Sequence, residues 1–209
     1  MKQPEGFFQL FISNPNLFTP GERFFYSNSG YVMLAYIIEK ISEKRFDDFI
    51  HDNVLVPCSM KNSGYYQLDR LPQNTATGDI RDGVDGAYKS NIFSIPIAGS
   101  GDGGCYTCAE DMVLFWKHLL SFDLLAEGIT RNLLAEHVTN GSDDSYGLGV
   151  WINQHSKNII FVQGFDPGAR FFSFHNKSNR RTLTIFTNNE YDIGSIIGDL
   201  WFALAEKTD

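Results

Sequence analysis

Phe18-Thr19-Pro20-Gly21-Glu22-Arg23-Phe24-Phe25-Tyr26-Ser27-Asn28-Ser29-Gly30-Tyr31 strings together a turn, an aromatic segment and a helix start. Pro-Gly pre-sets the two central positions of a turn. Asn28 or Ser29 suits a helix N-cap, because a short polar side chain can accept from the orphan N–H groups of the first turn. Beyond it, Tyr31, Leu34, Ala35, Ile38 and Ile41 recur at three and four residues. That spacing predicts a helix over Ser29–Ser42 with one apolar face. Tyr26 and Asn28 can also be read chemically. A phenol and a carboxamide on one side of a bend can handle a proton and hold an amide. On the spacing alone, the cap is the better-supported reading.

Outward from this stretch, a second helical segment is expected over Phe46–Leu55, ending near Pro57. Residues 58–104 are rich in Gly, Asn, Asp and Ser and weakly periodic, and read as long loops, which are often functional. Thr107 and Glu110 have capping-box spacing ahead of Met112, Phe115, Trp116 and Leu119, predicting a helix of about 12 residues. A short helix is expected over Gly128–His137. Tyr146–Asn153, Asn158–Gln163, Ala169–His175 and Arg181–Thr187 read as strands joined by short turns, hence antiparallel. A last helix from Asp192 would bury Ile193, Ile196, Ile197, Leu200, Trp201 and Leu204. The expected fold class is α+β: an antiparallel sheet with a covering C-terminal helix, plus a helical and loop lobe. Residues 1–140 would form that lobe and 141–209 the strands and last helix.

Of the 209 residues, 43% are hydrophobic and 20% charged, which excludes a disordered chain. The net charge of −8 argues against nucleic-acid binding. No stretch approaches the ~18 unbroken apolar residues of a membrane span. Met1-Lys2-Gln3-Pro4-Glu5-Gly6 has no apolar signal region. Cys58, Cys105 and Cys108 are an odd count, so reduced thiols are expected, with a lean to the cytoplasm. The pair Cys105 and Cys108 lacks the second pair that a zinc site needs. His51, His118, His137, His155 and His175 are scattered, without metal-ligand spacing. No cofactor or metal is expected. Gly99-Ser100-Gly101-Asp102-Gly103-Gly104 matches G-x-G-x-x-G, but Pro96 lies in the segment before it and no βαβ unit surrounds it. A tight loop, where backbone packs on backbone, is the alternative to dinucleotide binding.

Taken together, these segments resemble the serine β-lactamase family: class C β-lactamases, penicillin-binding proteins and related esterases. Pro20 to Ile38 is similar to the family's P-G-x-x-F-x-Y-S-N-x-G-Y and the helix after it. Pro57-Cys58-Ser59-Met60 resembles P-L-G-M, and Ser100 to Met112 resembles G-G-x-x-S-T-x-x-D-M. Tyr146-Gly147-Leu148-Gly149-Val150-Trp151 resembles the Y-G-L-G-W strand. Val162-Gln163-Gly164-Phe165-Asp166-Pro167-Gly168 falls where the family has K-T-G or H-x-G, and Thr187-Asn188-Asn189 resembles the end of its last strand. The resemblance spans about residues 18–190.

It implies an acyl-enzyme chemistry on a β-lactam, a D-alanyl peptide or an ester. Tyr26 and Asn28 would be catalytic, and Gln163, Gly164 and Phe165 would line the substrate, with the Phe165 N–H at the oxyanion position. Two departures matter. The family's nucleophile lies in S-x-x-K upstream of Y-x-N, and no S-x-x-K occurs here. The basic residue of the third motif is replaced by Val162, so Tyr26 should stay a neutral phenol, with Arg170 the nearest basic residue in sequence. The resemblance therefore implies the C-terminal portion of the fold, one incomplete domain over 1–209. Loss of a catalytic unit's member costs factors of roughly 10⁴–10⁶, so negligible acyl transfer is expected from this chain alone. An unpaired sheet edge and an apolar face would promote self-association or capture of an N-terminal segment. The alternatives are a binding module for a peptide or small amide, or an interaction domain without ligand.

Overall fold

A computed structural model describes residues 3–83, 86–139, 144–194, 196, 197 and 200. Pro4–Leu10 is a 3-10 helix, followed by α1 (Asn28–Ser42) and α2 (Phe46–Ile50), which runs into a π-helical turn, His51–Leu55. Next come β1 (Gly64–Tyr65), β2 (Asp79–Asp82), β3 (Ala87–Ser90) and β4 (Cys105–Tyr106). The chain continues with α3 (Ala109–Leu120), α4 (Glu127–Leu133), β5 (Val138–Thr139), β6 (Ser145–Tyr146) and β7 (Trp151–Ile152). The strands end with β8 (Ile159–Asp166), β9 (Ala169–Asn176) and β10 (Arg181–Thr187). Contacts divide the chain into two compact units, Met1–Thr75 with Pro96–Thr107, and Ala76–Ile95 with Cys108–Asp209.

The first unit is organised on α1. Thr19-Pro20-Gly21-Glu22 closes as a turn, with the Glu22 N–H on the Thr19 carbonyl at 3.0 Å and Gly21 at φ +85°. The helix cap is Ser27, rather than Asn28 or Ser29. Ser27 is extended, and its Oγ accepts from the Gly30 N–H at 3.1 Å, so Asn28 becomes the first helical residue. The helix ends at Glu43, in the left-handed region at φ 57°. Val32 and Ala35 are buried, but Leu34 (53% exposed) and Ile41 (79%) lie open, so the apolar stripe is wider than the face this unit covers. The N–H of the buried Phe46 donates to Glu39 Oε1 at 2.8 Å and ties α2 to α1. β1 and β4 pair antiparallel, Gly64 opposite Tyr106. Residues 99–104 are a tight loop. Ser100 and Gly103 exchange both backbone bonds, at 2.9 and 3.2 Å. A Cβ on Gly99 would fall 2.6 Å from the Gly103 carbonyl oxygen. Close backbone approach therefore accounts for these glycines.

The second unit holds a six-stranded antiparallel sheet in the order β10-β9-β8-β7-β6-β5. Its strands alternate between two cores. On one face Ile152 and Ile160 pack with Trp116 and Leu119 of α3. On the other, Ile159, Phe161 and Phe174 pack with Trp151, Phe172, Leu183 and Ile197. Ile193 is buried, and the Ile197 N–H bonds its carbonyl at 3.0 Å, a helical turn where a covering helix is expected. Ile196 is exposed rather than buried, while Trp201 and Leu204 lie outside the described residues.

Three local expectations are corrected. Tyr146–Asn153 is two short strands, because the Gly147 N–H bonds the Val150 carbonyl at 2.8 Å and Gly149 turns the chain at φ +97°. The T-x-x-E box does not form. Cys108 is the N-cap of α3, and the Thr107 hydroxyl is taken by Ser63 Oγ at 2.7 Å. Residues 58–104 are not wholly irregular. β2 and β3 form a hairpin, and β2 is bonded to the end of the sheet, the Asp79 N–H on the Asn188 carbonyl at 2.8 Å. Buried Asn91 donates through Nδ2 to the Pro167 carbonyl at 2.9 Å and holds the β3 end against the β8–β9 turn.

Candidate active site

In the first unit, the cap at Ser27 sets Tyr26 immediately before α1 and Asn28 in its first turn, both exposed. The Tyr26 and Tyr31 rings are 6.1 Å apart and tilted by 34°. The Tyr26 phenol is pushed above its ordinary value, first by desolvation and then by Tyr31 and Asp102. None of these causes is a cation, so the phenol is protonated at neutral pH and can donate a hydrogen bond but not act as a base. Asp102 sits at the tip of the 99–104 loop. Its carboxyl is raised by desolvation, offset by a bond to its own backbone N–H. Gly101 allows this placement, since a Cβ there would run into the Tyr31 carbonyl oxygen and come within 2.9 Å of the Ala35 Cβ. The loop tip therefore lies directly on α1.

In the second unit, Gln163, Gly164 and Phe165 lie in β8, where strand pairing changes. β7 pairs with β8 only at Ile160 and Phe161. From Val162 to Asp166, β8 pairs with β9 alone among the described residues. The Lys177 N–H bonds the Asn158 carbonyl at 2.8 Å on the β9 side, and the Asn153 N–H bonds the Ile159 carbonyl at 2.9 Å on the other. Antiparallel alternation then turns the odd-numbered backbone groups of β8 away from β9. The N–H and carbonyl of Gln163 and Phe165 face the open edge. A Cβ on Gly164 would meet only the Phe171 ring, at 3.8 Å, so packing does not demand glycine there. Glycine at a roomy strand position leaves space for another backbone to approach.

Side chains alternate across the same strand. Val162 packs against the α3 core, so the position of the family's basic residue is apolar. Arg170 is in register with Phe165, its guanidinium over the Phe165 ring at 5.0 Å, and its buried Nε has no hydrogen-bond partner among the described residues. Phe165 itself is 51% exposed. Tyr26 and Asn28 thus belong to one unit, and Gln163, Gly164 and Phe165 to the other.

The other candidates have structural roles or none. Among the described residues no group of three His, Cys, Asp or Glu side chains could hold a metal. His175 is buried in the sheet, Nδ1 on Thr182 Oγ1 at 2.8 Å, with its ring stacked on Trp116. No helix among the described residues is long and apolar enough to cross a membrane.

The sequence model of the Beta-lactamase family matches residues 2–205. Penicillin-binding protein 4* of Bacillus subtilis (strain 168) is 28% identical over 189 residues, 84% of this chain and 42% of its own length. The chain thus spans under half of that relative. The crystal structure of a penicillin-binding protein from Bacillus halodurans is 35% identical with a TM-score of 0.93, over 97% of this chain and 63% of that one. An octameric penicillin-binding protein homologue from Pyrococcus abyssi shares the fold at 21% identity and a TM-score of 0.84, over 96% of this chain and 48% of that one. With its Y-S-N helix start, its glycine loop and its antiparallel sheet, the chain belongs to the Beta-lactamase family.

Proposed function

We propose that this chain carries part of the site of a serine hydrolase that transfers an acyl group from a β-lactam, a D-alanyl peptide or an ester. The observation that supports it most is the open edge of β8. Its outward Gln163 and Phe165 backbone groups, flanking a roomy Gly164, can take an extended acyl donor by strand addition. The Phe165 N–H then serves as one donor to the developing oxyanion. Within its own unit, Tyr26 offers a protonated phenol and Asn28 a carboxamide, the groups such chemistry uses to donate a hydrogen bond and to hold an amide. The attacking serine is supplied from outside these 209 residues, which contain no S-x-x-K.

One observation favours a second reading, a binding module without chemistry. Val162 is packed into the apolar core where a cation would assist proton transfer. Intact mass after incubation with benzylpenicillin, together with a binding titration, tests both. Saturable binding without a mass adduct is expected. Phe165→Pro, which removes the outward N–H, should weaken binding by about tenfold. A stable acyl adduct on this chain would show a nucleophile within it, and absence of binding would remove the β8 edge as a substrate strand.

A further inference from the structure

Gly164 ends an aromatic row that crosses the sheet of the second unit. Gly164 of β8 is in register with Phe171 of β9, and Phe171 with Phe186 of β10. Residues directly opposite each other put their side chains on the same face. The Phe171 and Phe186 rings are stacked, with centroids 4.8 Å apart and planes 22° from parallel. Phe186 is 39% exposed. A Cβ on Gly164 would stand 3.8 Å from Phe171 Cδ1 and, beyond its chain neighbours, meet no other described group within 4 Å. The row therefore ends in a gap of about one side chain, floored by the Gly164 backbone and walled by the Phe171 ring. Beside that gap runs the stretch of β8 that β7 leaves unpaired.

A strand laid antiparallel along this stretch bonds the outward N–H and carbonyl groups of Gln163 and Phe165. The residue between those two bonded positions falls opposite Gly164. It takes a non-hydrogen-bonded position, where opposing Cα atoms approach to about 4.5 Å and side chains come closest. Its side chain points to the face of the aromatic row and enters the gap. A large apolar side chain there covers ring surface and leaves water. A polar one gives up its hydration against a ring that offers it no hydrogen bond in return. We propose that the β8 edge takes an extended peptide segment and selects it by one large apolar side chain, seated over Gly164 against Phe171. This rests on the reading of β8 as a strand acceptor, and adds to it the residue class that the incoming strand must carry.

Two capped peptides that differ only at the central residue test it: acetyl-Ser-Thr-Phe-Thr-Ser-amide and acetyl-Ser-Thr-Ser-Thr-Ser-amide. Each is titrated into the protein while the backbone amide signals of Gln163 and Phe165 are followed by NMR. Both signals should shift, and the phenylalanine peptide should bind at least about fivefold more tightly. Gly164→Val fills the gap and should abolish that difference. Gly164→Ala, a smaller filling that the fold accommodates, should shrink it. Equal binding of the two peptides, or a difference that survives in folded Gly164→Val, overturns the subsite. If that binding is still weakened by Phe165→Pro, the strand acceptor stands without it. A difference lost in Gly164→Val but untouched by Phe165→Pro leaves the subsite standing and overturns the strand acceptor. Binding of neither peptide overturns both.

Discussion

Trp116 of α3 is buried and donates its indole N–H to Ser173 Oγ at 2.8 Å, and Ser173 Oγ in turn shares a proton with Thr184 Oγ1 at 2.8 Å. A buried donor stripped of its acceptor bears its full desolvation cost. Ser173→Ala should therefore lower stability by about 1–3 kcal/mol in urea unfolding, more than the loss of one small hydroxyl suggests. His175 is one alternation along the same strand, and only 6% exposed. Burial, aided by the Lys177 charge, pushes its imidazole down to about 4, below the ordinary value of 6.5. Between these two values the unfolded chain binds the extra proton and the folded chain does not, so stability rises with pH across that window. It is fully present above 6.5 and lost on acidification toward 4, by an amount on the order of 2 kcal/mol. Unfolding midpoints at pH 7, 5.5 and 4 check this. His175→Gln should flatten the profile in that range.

At the scale of elements, a glycine contact joins the 99–104 loop to α1. Gly101→Ala drives a methyl into the Tyr31 carbonyl and the Ala35 side chain. Neither can retreat easily, since one is helix backbone and the other is fully buried. A loss of about 1–3 kcal/mol is expected in thermal or urea unfolding, with the loop tip displaced from α1. Gly164→Ala makes the opposite case. Its Cβ meets one ring at ordinary contact distance, so stability should change by less than about 1 kcal/mol. Any effect on ligand binding at the β8 edge should then exceed the effect on folding.

Over the whole molecule, apolar side chains and a strand edge stand open. Leu34, Ile37 and Ile41 lie exposed along α1. β10 is the last strand of its sheet, with no strand on its far side among the described residues. Open edges and apolar stripes invite pairing. We propose self-association of this chain, or its association with a further segment of the family fold. Light scattering should show mass rising with concentration in the micromolar range, and Ile41→Lys should reduce it. A monomer unchanged by concentration would count against the proposal.

Much of this protein was legible in its sequence because the signals are local. The spacing of apolar residues marks α1, the β-branched run over Arg181–Thr187 is β10 to the residue, and Pro20-Gly21 sets a turn whichever way the chain runs beyond it. The order of motifs also sufficed to indicate the family. Tertiary structure alone decided which polar residue caps α1, that Thr107 bonds Ser63 instead of a helix end, and that Leu34 and Ile41 stay uncovered. It alone showed that β7 stops short and leaves Gln163 and Phe165 facing outward, and that the 99–104 loop packs on α1 through Gly101. The cap is a local choice, Ser27 Oγ on the Gly30 N–H, made among three neighbouring polar residues. The others depend on groups distant in the chain, and periodicity carries no information about which distant group competes best for a hydrogen bond or a contact.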